Sequence, residues 1–347
     1  MIPPGRYTSG RIALANLSAE IESLERRRAQ RATFEELERL ATLLFIRGDV
    51  LGRIADHDRA EQVTNEAALC VPDIGTLFYA RSRLAERFHR FDEASRLLQQ
   101  AQVAGYPQRE IDTATAALRQ AVGKYDEALV LRARLAKEDR RLHTLGALAS
   151  LLAEMGQWAR AEACYRAALE ADTGSSPLPC SQLLFEWAVS AMRSGELDRA
   201  EKIFGGLQSV LPEHVPGRGH RAEVALARGQ LNVALTLIAP LVETSDDPEY
   251  RAVYAEILEA RGERETAAIQ VQLATARYEE LLARRPEAYA DHAASFFMGI
   301  GACAPRAVDL ARLNLRLRDT PRSRRLLLKA LVTAQRAAAC PLRKQIA

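Results

Sequence analysis

Apolar residues recur along this chain with the spacing of one helix face, in two short stretches at a time. In the clearest example, Leu145, Leu148 and Leu152 are followed, after a glycine, by Tyr165 and Leu169. Steps of three and four residues place such side chains on one side of a helix. The pattern therefore predicts two helices that pack on each other across a turn.

The same pattern returns many times, each time with an alanine just after an acidic or polar pair. These alanines are Ala60, Ala94, Ala128, Ala161, Ala200, Ala234, Ala267 and Ala307. Successive members are 34, 34, 33, 39, 34, 33 and 40 residues apart. The two long spacings contain loop-like segments, where insertions are tolerated. A period of this length predicts a stacked array of helix hairpins.

Three further columns of residues keep the same phase. Small residues stand twelve positions before the alanines and predict close helix contact: Gly48, Ser82, Ala116, Ala149, Ala188, Ala222, Ala255 and Ser295. Glycines five positions before several alanines predict helix ends in the left-handed conformation. An Asp, Asn or Glu two positions before predicts a cap on the second helix. The stretch GKYDEAL from Gly123, which holds two carboxylates and a tyrosine, is therefore interpreted as a turn and a cap.

These columns resemble the tetratricopeptide repeat, a helix–turn–helix unit of 34 residues. The unit from Leu142 to Asp172 is most similar, with Gly156, Trp158 and Ala168 on the pattern. Parts of the sequence also look similar to bacterial tetratricopeptide proteins of unassigned role. The resemblance implies an all-α fold, a right-handed α-solenoid of about eight repeats. We expect capping helices in 1–40, the repeat array in 41–320, and an unpaired basic helix and tail in 321–347.

Composition agrees with a soluble helical protein. Of the 347 residues, 48% are hydrophobic and 27% charged, and only 19 are glycine. No apolar run approaches the roughly 20 residues that cross a bilayer. Because the N-terminal segment lacks an uninterrupted apolar core, a cytoplasmic protein is expected. A periplasmic or secreted chain whose signal had been removed would look the same. The five cysteines are dispersed, which argues against a disulfide framework.

The search for catalytic chemistry gives a negative prediction. The sequence contains no P-loop, no HExxH and no GxSxG motif, and its six histidines show no metal-binding spacing. We therefore expect no catalytic residues, no metal and no cofactor, and a protein that is not an enzyme.

The resemblance implies that the first helix of each hairpin lines a concave groove that binds a partner. The groove positions are Phe45, Arg53, Tyr79, Arg83, Arg87, Phe185, Arg193, Glu249, Glu256, Glu259, Tyr289 and His292. Aromatic residues and arginine commonly anchor protein interfaces. Three glutamates on one helix would repel each other unless they met a basic ligand. The leading hypothesis is a scaffold that binds a protein or peptide partner carrying a basic segment.

A second hypothesis rests on the basic C-terminal region. Residues 304–347 hold 11 Lys and Arg against 2 Asp. A helical repeat could bind nucleic acid through these side chains and a basic run near the N-terminus: Arg26, Arg27, Arg28, Arg312, Arg316, Arg318, Arg322, Arg324, Arg325 and Lys329. A repeat that reads bases would place matching polar residues in each unit, and this sequence does not. The last helix is also a candidate for self-association, because Leu326, Leu327, Leu328 and Leu331 have no predicted partner helix.

Overall fold

The computed structural model describes residues 6–71 and 74–344, with the side chains of residues 31 and 340–344 left aside. This part of the chain contains nineteen helices, numbered α1 to α19, and no strand. The first helices of the eight hairpins are α2 (Phe34–Leu51), α4 (Gly75–Arg87), α6 (Gln108–Ala121), α8 (Leu142–Glu154), α10 (Pro177–Arg193), α12 (Val215–Ala227), α15 (Pro248–Ala260) and α17 (Pro286–Met298).

Each of these helices packs against a second helix that follows it. The second helices are α3 (Ile54–Cys70), α5 (Phe91–Val103), α7 (Tyr125–Glu138), α9 (Trp158–Glu170), α11 (Leu197–Val210), α13 (Leu231–Ile238) with the short α14 (Leu241–Thr244), α16 (Arg264–Arg284) and α18 (Ala304–Leu317). The helices α1 (Gly10–Arg31) and α19 (Pro321–Lys344) flank the array. The all-α solenoid of about eight hairpins is confirmed. Within the residues described, none of the helices combines the length and the apolar character needed to span a bilayer.

The repeat columns have the packing roles that the sequence predicts. All eight anchoring alanines are buried, and so are seven of the eight small residues that precede them. Ser295 is the exception: its side chain is exposed, and the neighbouring Ala294 is buried instead. The turn before α18 is also longer than in other hairpins, because residues 299–303 separate α17 from α18, whereas three residues separate α8 from α9. The predicted register of the last hairpin was therefore wrong by one residue.

The turns inside the hairpins explain one correct and one wrong prediction. Gly123, Gly156 and the other glycines of that column have positive φ angles. The amide of Lys124 donates to the carbonyl of Arg119 (2.8 Å), which ends α6 as in a Schellman motif. Asp92 and Asp126, however, lie one residue inside α5 and α7 and do not cap them; no side-chain cap is formed there. Their charge still complements the positive end of the helix dipole.

The two ends of the array differ from the predicted boundaries. The first hairpin begins at Phe34, so one helix, α1, precedes it, and it covers the array through buried Leu17, Ile21 and Leu24. At the other end, α19 packs against α17 and α18, with Ala330 fully buried and Leu326 and Leu327 partly buried. The first half of α19 is thus not free of contacts.

Three apolar side chains of α19 nevertheless remain exposed among its basic residues. Leu328, Leu331 and Val332 remain 62%, 41% and 36% exposed. Residues 345–347 of the predicted tail lie outside the described residues. Self-association through these side chains stays a prediction, which a monomeric mass by light scattering at micromolar concentration would contradict.

The early hairpins also touch the late ones, which closes one edge of the solenoid. The amides of Ile54 and Ala55 donate to the carboxylate of Asp246 (2.6 and 3.0 Å), so a residue 192 positions away caps α3. Farther along, the Arg318 guanidinium donates to the carbonyl of Ala121 (3.2 Å). Turns within hairpins one to three therefore meet loops between later hairpins. Successive turns of the superhelix stack on each other.

Gly123 shows how tight this stacking is. A Cβ atom at Gly123 would lie within van der Waals overlap of the Asp319 carbonyl, and the residue has a φ of +86°. Both the close approach and the left-handed conformation require glycine here. The turn of the third hairpin is thus shaped for contact with the segment between α18 and α19.

Candidate functional site

The first helices of the hairpins face the inside of the superhelix and form a surface that we call the inner groove. Most predicted site residues lie on these helices, at the positions that the repeat register indicates. Because the turns stack, residues that are far apart in sequence approach each other across the inner groove. Tyr289 of α17, for example, packs on the same apolar cluster as Phe45 of α2.

Three predicted residues line one cavity between α2 and α4. Phe45, Tyr79 and Arg83 border a space of about 350 Å3. The other walls include Phe34 and Glu38 of α2 and Tyr106 from the segment between α5 and α6. The rings of Tyr79 and Tyr106 stack with their centroids 4.5 Å apart. We call this cavity the aromatic pocket.

The charged groups of the aromatic pocket are partly removed from water. Burial raises the pKa of the Glu38 carboxyl, and the nearby Glu35 carboxylate raises it further. Burial also raises the pKa of Tyr79. Arg83 forms an ion pair with Glu86 on the same helix, which leaves Glu38 as the acidic group at the wall. A concave apolar site with one convergent carboxylate suits a ligand that has an apolar part beside a cation.

Arg87 belongs to a second group of contacts near the closed edge. Its guanidinium lies 3.5 Å from the Asp49 carboxylate and 3.3 Å from Nε2 of the buried His57. The His57 ring in turn meets Phe45 edge-on, with centroids 5.2 Å apart. Arg87 therefore connects the end of α4 to the inner face of α2 and the start of α3.

No protein-family model and no curated protein match this sequence. Among solved structures, human IFIT1, solved as a dimer with PPP-AAAA, is similar with a TM-score of 0.55 and 12% identity over 94% of this chain and 87% of that one. The Cut9 structure with Hcn1 is similar with a TM-score of 0.50 and 15% identity, over 85% of this chain and 55% of that one. A tetratricopeptide repeat protein from Parabacteroides merdae has 20% identity and a TM-score of 0.46, over 70% and 93%. The chain has the fold of the tetratricopeptide-repeat proteins.

The predicted acidic helix face is divided into three environments. Glu249 lies 3.2 Å from Nδ1 of His292, which is on the next inner helix. Glu256 is exposed as a residue. Partial burial of its carboxyl group, followed by the nearby Glu223 carboxylate, still raises its pKa. Glu259 lies in the last turn of α15, 3.5 Å from Arg264. The argument that all three glutamates need an external basic ligand was therefore wrong for Glu249 and Glu259.

His292 is held between two carboxylates. Its Nε2 lies 3.8 Å from Asp291, while Nδ1 faces Glu249. The Glu249 carboxylate, followed by Asp291, raises the pKa of His292 to about 10, although burial opposes the shift. The same imidazolium is the main charge that lowers the pKa of Glu249 to about 2 against the effect of burial. The ion pair connects α15 to α17 and is charged at neutral pH.

This arrangement predicts a pH-dependent contribution to stability. Because the folded state favours the imidazolium, the His292 contribution is complete below pH 6.5, the ordinary pKa, and is lost as the pH rises through about 10. We expect the free energy of unfolding of wild type to exceed that of His292→Gln at pH 6, with the difference shrinking toward pH 10. Urea unfolding at several pH values measures this difference.

The matched control is His143→Gln, since His143 is exposed at the start of α8. We expect this substitution to change stability little at pH 6. A stability difference for His292→Gln that stayed constant from pH 6 to pH 10 would contradict the assignment of the ion pair.

The remaining predicted residues have separate surroundings. The Phe185 ring lies 5.2 Å from His214 and 5.6 Å from His220. Arg53 is the N-cap residue of α3, outside the inner face of α2, and its side chain is exposed. Arg193 ends α10, far along the groove, and borders a different cavity. The structure thus unites Phe45, Tyr79 and Arg83 at the aromatic pocket and pairs Glu249 with His292, whereas Arg53 and Arg193 lie apart from both.

Three residues that line the aromatic pocket were not predicted from the sequence. Phe34 and Glu38 fell within the segment assigned to the cap, because the first repeat was expected to begin at residue 41. Tyr106 lies between two helices, where a helical register assigns no groove position. An aromatic residue just before the Pro107 N-cap of α6 is the signal that was available.

Proposed function

We propose that this protein is a non-enzymatic scaffold of the cytoplasm that binds a segment of a partner protein in its inner groove. The observation that carries the proposal is the aromatic pocket, in which Phe45, Tyr79 and Glu38 converge. Aromatic anchors in a concave site supply much of the binding energy at protein interfaces. Glu38 favours a Lys or Arg beside that anchor, because a cation would offset a carboxylate that is partly removed from water.

The experiment is an affinity capture with wild-type and variant baits, followed by binding measurements on the partner that is obtained. We expect Tyr79→Ala to weaken binding by roughly 30-fold, the effect of removing one interface anchor. We expect Glu38→Gln to weaken it by about tenfold, which corresponds to one charged contact.

Glu243→Gln is the control, since it removes the same charge from an exposed position on α14 that is not a wall of the aromatic pocket. Its affinity should equal that of wild type. A partner that binds all four proteins equally would show that the aromatic pocket is not the binding site.

A further inference from the structure

A second cavity lies beside the turns of the third and fourth hairpins and is strongly cationic. Its volume is about 530 Å3, and its walls come from the ends of α8 and α10 and from the start of α19. Five cationic side chains border it: Arg193, Arg318, Arg322, Arg325 and Lys329. Glu154 is its one acidic wall residue. We call this space the cationic cavity.

Four of the five cations are not neutralised by the protein. Arg318 lies 3.7 Å from the Asp291 carboxylate. Arg193, Arg322, Arg325 and Lys329 have no carboxylate within 4.0 Å among the described side chains. Glu154 lies beside Tyr125, and burial together with this carboxylate raises the pKa of Tyr125 to about 12. Positive charge is therefore concentrated in the cavity.

Placing these cations close together disfavours their charged forms unless an anion binds between them. Arg193 is exposed toward the cavity, but crowding by the surrounding protein, followed by the like charge of Arg322, lowers the pKa of its guanidinium to about 10. Like charges in such surroundings disfavour the charged form of each other. A bound anion would offset both effects, because an adjacent negative charge favours the charged form of each cation.

The cavity also has an aromatic wall. Trp158, at the start of α9, borders it and remains 43% exposed. An exposed indole face provides a surface on which a planar, electron-poor ring can stack. Together with Glu154, an acceptor for amino or hydroxyl groups, this wall offers contacts that an inorganic anion would leave unused.

We propose that the cationic cavity binds a nucleotide, with its phosphates on Arg193, Arg322, Arg325 and Lys329 and its base against Trp158. Arginine matches phosphate oxygens with paired hydrogen bonds, and lysine adds a point charge. A volume of about 530 Å3 is within the range of small-molecule sites. This binding activity is separate from the proposed partner site, because the two cavities share no wall residue.

The distribution of charge favours a small ligand over a nucleic-acid strand. A strand needs a continuous cationic path along the groove. Beyond the cationic cavity, the inner groove carries Glu186, Glu223 and Glu249. Glu186 would repel successive phosphates, and the pairing of Glu223 with His220 and of Glu249 with His292 leaves no excess positive charge for them, whereas one nucleotide would fit within the cavity.

The test is calorimetric titration of the full chain with ATP at physiological salt, with tripolyphosphate and a 5′-hydroxyl RNA 10-mer as comparison ligands. We expect ATP to bind at one site and Arg193→Gln with Arg322→Gln to weaken it by at least about 30-fold, because two charged contacts are lost. Trp158→Phe should weaken ATP more than tripolyphosphate. Unchanged circular dichroism and thermal unfolding of each variant would establish that it is folded.

The matched control is Arg312→Gln with Arg336→Gln, which removes the same charge from exposed positions on α18 and α19 outside the cavity. This control should bind ATP within about twofold of wild type, since distant exposed charges are screened by salt. Equal weakening by both pairs of substitutions, or no ATP binding at millimolar concentration, would overturn the proposal. RNA that bound through Arg193 and Arg322 at least tenfold more tightly than ATP would overturn it in favour of nucleic acid.

Discussion

Replacing Ala161 with tryptophan is expected to unfold the fourth hairpin and to destabilise its neighbours. Ala161 is 2% exposed and packs with Leu152, Tyr165 and Ala149 between α8 and α9. Overpacking a contact of this kind costs about 3 kcal/mol or more when the added group is an indole. In a repeat protein each hairpin is stabilised by its neighbours, so the loss should spread to adjacent hairpins. Urea unfolding followed by circular dichroism measures the effect.

Ala159→Trp is the control for this substitution. Ala159 lies two residues earlier on α9 and is exposed, so the added ring can remain in solvent. We expect a change within about 0.5 kcal/mol of wild type, as is usual for surface positions. Equal stability of Ala161→Trp and wild type would show that the repeat register is wrong.

Replacing Arg285 with alanine is expected to open the closed edge of the superhelix. The Arg285 guanidinium forms ion pairs with Asp58 and with Glu61 (2.5 Å), and all three side chains are 19% exposed. It also lies over the Phe88 ring, 3.8 Å from the centroid. The substitution leaves Asp58 and Glu61 with only the more exposed Arg284 and Arg90 as counterions and removes the cation from the Phe88 ring, so we expect a loss of roughly 2 kcal/mol. The radius of gyration from small-angle scattering should rise as the turns separate.

The adjacent arginine gives the comparison for this experiment. Arg284 also pairs with Asp58, but its side chain is 44% exposed. An exposed ion pair contributes about 1 kcal/mol at most, so Arg284→Ala should leave the radius of gyration unchanged. If Arg285→Ala kept both the stability and the dimensions of wild type, closure of the superhelix would not depend on this network.

The hairpins could be predicted from sequence because their contacts are local. The alanine and small-residue columns join helices that follow each other, and a fixed period makes the same contact visible many times. The predicted register was wrong in the last hairpin, because Ala294 is buried there at the position that was expected for Ser295. The capping role of Asp92 and Asp126 failed because a short turn places both residues inside the helix.

The closure of the superhelix could not be predicted by the same means. Asp246 caps α3 from 192 positions away, and Arg285 meets Asp58 and Glu61 at similar separations. Each of these contacts occurs once, so no period in the sequence reveals it. Closure also determines which distant groove residues approach each other, as Phe45 and Tyr289 do at one apolar cluster.

The candidate site was predictable in part. Phe45, Tyr79 and Arg83 lie on inner helix faces, and the repeat register finds them. Tyr106 and Glu38 complete the aromatic pocket from a loop and from the first turns of α2, where the register gives no groove assignment. Arg53 was misplaced because α2 ends at Leu51, two residues before it.

Selection of a random peptide library on the immobilised wild-type protein, with Tyr79→Ala as the counter-selection target, tests most directly whether the aromatic pocket binds a partner segment. We expect the enriched peptides to share an aromatic or large apolar residue next to a Lys or Arg. Their affinity should fall roughly 30-fold on Tyr79→Ala and stay unchanged on Glu243→Gln. Enriched peptides without this pattern, or peptides that bind Tyr79→Ala as tightly as wild type, would contradict the claim that the aromatic pocket binds a partner segment.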